Sequence, residues 1–212
     1  MSIQEWQIYI SIIKDIITAI VALIAGVVAI YGVIAWKKQL KGKTEYELAR
    51  RVLRAIYKVR DSIRIVRSPI QTGGEIEEAV KASGISYDPD DKSTHAKTQA
   101  AIYESRWKQL NEARSNLQLE LLEAEVSWGE GIKDKLKPLN ECIGKLYATV
   151  YLYIAELERP SRRTDEVAEK NREESLRILY WVSDNPEEDS FSGKVKGAVE
   201  QIETFLKPHL KL

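Results

Sequence analysis

Residues equipped for acid–base or nucleophilic chemistry are scarce in this chain. Among 212 residues there are two histidines, His95 and His209, and one cysteine, Cys142. Neither histidine has a partner at a spacing that makes a metal set or a nucleophile–base pair. H-E-x-x-H, C-x-x-C and G-x-S-x-G do not occur, nor does a glycine-rich phosphate loop following a strand. Cys142 falls near the apolar seam of a helical stretch, the pattern of a buried thiol rather than of a nucleophile. Asp88-Pro89-Asp90-Asp91 clusters carboxylates as a calcium loop does. It lacks the glycine at the sixth position and the bidentate glutamate at the twelfth, so it reads as a solvated turn. No catalytic residue, cofactor or metal is expected.

Two constellations remain, and both concern binding. Tyr57, Arg60, Arg64 and Arg67 share one helical face, and Arg50 and Arg54 stand one turn apart. Such a face suits the phosphates of anionic lipid, RNA or a nucleotide. The plainer reading is ion pairing with acidic segments elsewhere in the chain, together with control of membrane topology. The second constellation is a row of small residues, Thr18, Ala22, Ala25, Ala29 and Gly32, with Gly26 at small-xxx-small spacing from Ala22. At 100° per residue the row occupies an arc of about 80°, narrow enough for two helix backbones to approach closely. The alternative is that Ala and Gly are simply common in membrane helices.

That row lies within residues 16–36, IITAIVALIAGVVAIYGVIAW, 21 residues with no charge. As an α-helix the segment is about 31 Å long, the thickness of a bilayer's hydrocarbon core. Lys14 and Asp15 bound it on one side, Lys37 and Lys38 on the other. Trp6, Tyr9, Tyr31 and Trp36 lie near its ends, where amphipathic rings favour the headgroup zone. A cleaved signal peptide would want a basic start and a shorter apolar core. The chain opens MSIQEW, with an acid and no base, so a retained anchor is expected. Lys14 is the one base before the span, whereas Lys37, Lys38, Lys41, Lys43, Arg50, Arg51 and Arg54 follow it. The positive-inside rule then places the C-terminal side in the cytoplasm and the N-terminus outside, at the plasma or bacterial inner membrane. A single cysteine, which allows no internal disulfide, agrees with a reducing compartment.

The rest of the chain has the composition of a folded body. Charged residues make up 30% and apolar ones 44%, too apolar for a disordered tail. Net charge is +0 but unevenly spread: residues 37–68 carry eleven Lys and Arg against Glu45, Glu47 and Asp61. Helical spacing recurs throughout. The stem shows Ala49, Val52, Leu53, Ile56, Val59, Ile63 and Val66, ending at Pro69. Thr44-Glu45-Tyr46-Glu47 has a capping-box pattern, so either a new helix starts near Thr44 with Gly42 as a joint, or one helix runs unbroken out of the membrane. Residues 69–93 read as a long connection with a short helix over 75–81. Further helices are expected over about 94–128, with a seam broken by Arg114, and over 132–158, 164–183 and 191–206. The domain plan is therefore an extracytoplasmic N-terminus (1–15), a transmembrane helix (16–36), a basic juxtamembrane stem (37–68), a loop with a short helix (69–93) and a helical body (94–212). The fold class is all-α, an anchor followed by an antiparallel cytosolic bundle of four to five helices.

The order of anchor, basic stem and helical body resembles that of single-pass membrane proteins with HEPN-like cytosolic bundles that accompany some RNA-targeting CRISPR systems. The resemblance implies a fold and a membrane setting. Ribonucleases of the HEPN superfamily place an Arg a few residues before a His. The residues before His95 are SYDPDDKST and those before His209 are IETFLKP, neither with an Arg. The expected function is thus non-enzymatic: a membrane-anchored helical protein working as a homo-oligomer, either a scaffold or a membrane-perturbing effector of the kind used in bacterial defence. The alternative is a membrane-tethered RNA- or nucleotide-sensing module. A wet pore would need many copies, because one helix per subunit with no charge between Asp15 and Lys37 has only Thr18 and the small residues to line it.

Overall fold

A computed structural model of the protein describes residues 3–84, 92–159 and 166–210. The chain is all-helical, with no strand among the described residues. Six α-helices follow in order: α1 (Ile3–Val66), α2 (Gly73–Ser83), α3 (Lys92–Trp128), α4 (Gly131–Glu158), α5 (Glu166–Leu179) and α6 (Ser190–Leu206). A short 3₁₀ turn, Lys207–Leu210, closes the described chain. The Asp88–Asp91 run and the expected helix start at Thr164 lie outside the described residues. Two units emerge from the contacts, residues 1–46 and residues 47–211.

The first unit is helix alone. Its large apolar residues from Ile13 to Leu40 are all exposed, at 50% or more of their surface, because no described residue covers them. One helix here is long and apolar enough to cross a membrane. It continues without a break through Gly42 and Thr44. The Thr44 hydroxyl donates to the Leu40 carbonyl at 3.0 Å, the bond of a threonine inside a helix rather than at a cap. Of the two arrangements open at Thr44, the unbroken helix is the one observed, and the capping box is not used.

The second unit has an apolar core assembled from several helices. Leu48, Val52, Ile56, Val59, Ile63 and Val66 of α1 are all buried, at helical spacing. They share one cluster with Leu110, Ala113 and Leu117 of α3, Leu136, Leu139, Ile143 and Leu146 of α4, and Val195, Val199, Ile202 and Leu206 of α6. The α3 seam is not broken at Arg114. Arg114 is exposed, and the core position between Leu110 and Leu117 belongs to Ala113. A small residue suffices there, which is why a search for large apolar side chains misses the register.

Helix ends follow the local chemistry. The Thr72 hydroxyl accepts the Glu75 N–H at 3.3 Å and caps α2, and Gly84 ends it with φ of 68°. Gly129 separates α3 from α4 with φ of 78°. Both angles lie in the left-handed region that favours glycine. The α2 segment is tied down by Arg106, a buried residue of α3. Its guanidinium donates to the Ser68 carbonyl (2.6 Å), the Ile70 carbonyl (2.8 Å) and both carboxylate oxygens of Glu75 (2.5 and 3.0 Å). An ammonium cannot reproduce that planar fork. Arg106→Lys should therefore loosen residues 68–83 while the rest of the core holds. Amide hydrogen exchange should show faster exchange confined to that stretch; unchanged protection there would mean that the fork is dispensable.

Candidate functional site

Three of the arginines on the stem's basic face come together at one cleft of about 400 Å³, lined also by Asp61, Trp181, Asp184, Ser192 and Lys196. The three do different things there. Arg67 is 1% exposed and forms the structural floor. Its Nε donates to the Ile178 carbonyl at 2.6 Å and its Nη1 to Ser192 Oγ at 2.7 Å. Its Nη2 lies 3.0 Å from both carboxylate oxygens of Asp189 and also serves the carbonyls of Arg177 (3.0 Å) and Tyr180 (2.9 Å). Arg67 is thus committed to the end of α5 and the cap of α6, and it does not belong to an open anion-binding face. Asp189 is as deeply placed. Burial alone would push its carboxyl up, but hydrogen bonds from the Ser192 N–H, Arg67 and the Val182 N–H outweigh that and hold it below the usual carboxylate range.

Arg60 and Arg64 are exposed and lightly held. Arg60 donates to Asp61 Oδ1 from Nε (2.9 Å) and Nη2 (2.8 Å), with its guanidinium 4.7 Å from the Tyr57 ring centre. The Arg64 guanidinium lies over Trp181, 3.9 Å from the ring centre, and its carboxylate partner, Asp184, is 3.8 Å away. Exposed pairs of this kind are worth roughly 0–1 kcal/mol. Tyr57 points elsewhere, donating to Glu203 at 2.8 Å. That bond, with partial burial, pushes its phenol above the ordinary value. Arg50 and Arg54 are exposed and do not line the cleft. Arg51, which no motif marks, reaches across to Glu120 at 2.8 Å and to Glu123.

Trp181 and Lys196 complete the cleft from more than one hundred residues further along the chain. No spacing rule connects them to the stem, so local pattern carries no signal for them.

Cys142 and His209 are accounted for by packing. Cys142 is buried, and burial pushes its thiol up. It should react with a thiol reagent far more slowly in the folded protein than in denaturant; equal rates would place it at the surface. His209 stacks on Trp128 with ring centres 4.5 Å apart. His95 is exposed near the start of α3. Among the described residues no three His, Cys, Asp or Glu side chains converge in a way that could hold a metal.

In the apolar part of α1 the small row is open. Thr18, Ala22, Ala25, Gly26, Ala29 and Gly32 are all exposed, and a Cβ placed on Gly26 or Gly32 would meet nothing within 4 Å. The Thr18 hydroxyl is satisfied by the Lys14 carbonyl at 2.8 Å.

No protein-family model matches the chain, and no curated protein or solved structure is detectably similar to it.

Proposed function

We propose that this is a non-enzymatic, membrane-anchored helical protein that works by self-association at the membrane, as a scaffold or as an effector that perturbs the bilayer. The observation that carries the reading is α1 itself. One continuous helix holds an apolar stretch that no described residue covers and, further on, six large side chains buried in the core of the second unit. Exposed apolar surface on this scale needs lipid or another copy to cover it. A second unit built as an antiparallel bundle around the same helix is supported by the pairing of Arg51 with Glu120 at one end and of Arg106 with the Ser68 carbonyl at the other. In this reading residues 16–36 span the plasma or inner membrane, the basic stem lies in the cytoplasm and the N-terminus outside.

The test has two parts. The protein should stay with membranes through high salt and alkaline wash and leave only with detergent. The detergent-extracted particle should have the protein mass of several copies. Release by alkaline wash would overturn the anchor, and a particle of one copy would overturn the assembly. A reporter enzyme active only outside the cytoplasm, fused after Leu212, should be silent; an active fusion would reverse the orientation.

A second reading, a membrane-tethered module that senses RNA or a nucleotide, is favoured by one observation, the grouping of Arg60, Arg64 and Lys196 around a single cleft.

A further inference from the structure

We propose that the cleft between the end of α1 and the start of α6 binds one phosphate monoester group, held by Arg60, Arg64 and Lys196 beside Trp181, whose ring face Arg64 covers. This inference rests on the cleft of the second reading, narrows its ligand to a single phosphate in place of an RNA strand, and stands apart from the question of self-association. Three observations carry it. First, the three cations come from two helices that converge on a half-open cleft of about 400 Å³, room for one phosphate and the group that bears it. Second, none of the three is locked. Arg60 and Arg64 have only exposed carboxylate partners, the Arg64–Asp184 distance is long at 3.8 Å, and Lys196 is exposed with no ion pair among the described residues. Third, the floor is already satisfied. Arg67 and Ser192 are bonded to Asp189, so the cleft can take an anion without rearranging its base.

The flanking acids set the selectivity. Asp61 and Asp184 stand at the cleft with one carboxylate each. They would repel the neighbouring phosphates of a polymer but leave a single dianion with three cations to bridge. A phosphate offers three acceptor oxygens and more charge than either carboxylate, so it would displace both as the partner of the guanidiniums. The Trp181 ring, with Arg64 on its face and its Nε1 donating to Asp184 at 3.3 Å, would sense that exchange.

The monoester could be free or a lipid headgroup, and a fluorescence titration separates the two. Detergent-extracted full-length protein is titrated with inorganic phosphate in plain micelles, and in parallel placed in micelles doped with phosphatidic acid. A Trp181→Phe variant isolates the Trp181 signal from that of the other tryptophans. We expect a saturable Trp181 change, weakened roughly tenfold or more in Arg64→Gln/Lys196→Gln, the loss of at least one charge-assisted contact. Asp184→Asn, which removes a competing carboxylate, should strengthen binding. Lys108→Gln, an exposed charge outside the cleft, should leave it unchanged. The medium giving the tighter response identifies the source of the phosphate. No saturable response in either medium would overturn the proposal, as would a double variant that binds like the wild type or a Lys108→Gln loss as large as that of the double variant. A failure here, with an oligomeric particle still extracted, would leave the assembly reading intact.

Discussion

Arg67→Ala should bring the second unit close to unfolding. The substitution leaves Asp189, itself buried, without its counter-ion, and removes donors from three backbone carbonyls and Ser192. Breaking a buried ion pair by removing one partner costs about 3–5 kcal/mol, against a total stability of about 5–15 kcal/mol for a typical domain. Urea titration of the extracted protein, followed by tryptophan fluorescence, should show a midpoint shifted far down or no folded baseline at all. A double variant, Arg67→Met with Asp189→Asn, removes both charges while keeping an acceptor for the Ser192 N–H that caps α6. It should be clearly more stable than Arg67→Ala, because no buried charge is left alone.

The pH dependence gives an independent check. In the wild type the folded Asp189 carboxyl titrates below its unfolded value. Its contribution is therefore present above the usual carboxylate range and is lost as pH falls through the folded value. In Arg67→Ala only the bonds from Ser192 and the Val182 N–H still oppose burial, so the folded value moves up toward the unfolded one. The stability that this group contributes above the carboxylate range shrinks accordingly. The stability deficit of the variant should be widest near neutral pH and narrow on acidification through about pH 4. A deficit within about 1 kcal/mol at neutral pH would show that the buried network is not what holds α1 to the α5–α6 connection.

Bulk on the small row of α1 should dissociate the assembly. Ala29→Leu or Gly32→Leu keeps the helix apolar but adds a side chain where two backbones would nearly touch, and no part of the same chain is in the way of the new group at Gly32. Ile24→Leu and Ile30→Leu conserve volume on other parts of the helix circumference and should be close to neutral. Extracted wild-type protein is expected as an oligomer, the row variants as smaller species, and the isoleucine variants as wild type. An unchanged particle mass for the row variants would move the assembly contacts to other helices and reduce the apolar segment to a tether.

The helices were legible because helix formation and apolar periodicity are local. The 3–4 spacing of Val195, Val199, Ile202 and Leu206 marks α6 over nearly its observed length. The uncharged run from Ile16 to Trp36 identifies the membrane-competent segment by length alone. The short helix found from Gly73 to Ser83 was legible too, with an acid in its first turn and Gly84 just beyond.

What the tertiary structure decided is the role of each charge. On the isolated helix Arg60, Arg64 and Arg67 are equivalent, one stripe of like residues. Folding divides them, because the α5–α6 connection closes over the end of α1. It brings Asp189 and the carbonyls of Arg177, Ile178 and Tyr180 to Arg67, while Arg64 meets only the face of Trp181 and a distant carboxylate. Arg106 and Lys196 carried no local signal at all, one a buried clamp and the other an exposed cation lining the cleft. The periodicity of a helix states which residues share a face. Whether a charge on that face is buried and bonded or left for a ligand depends on partners more than a hundred residues away, which only the packed chain brings within reach.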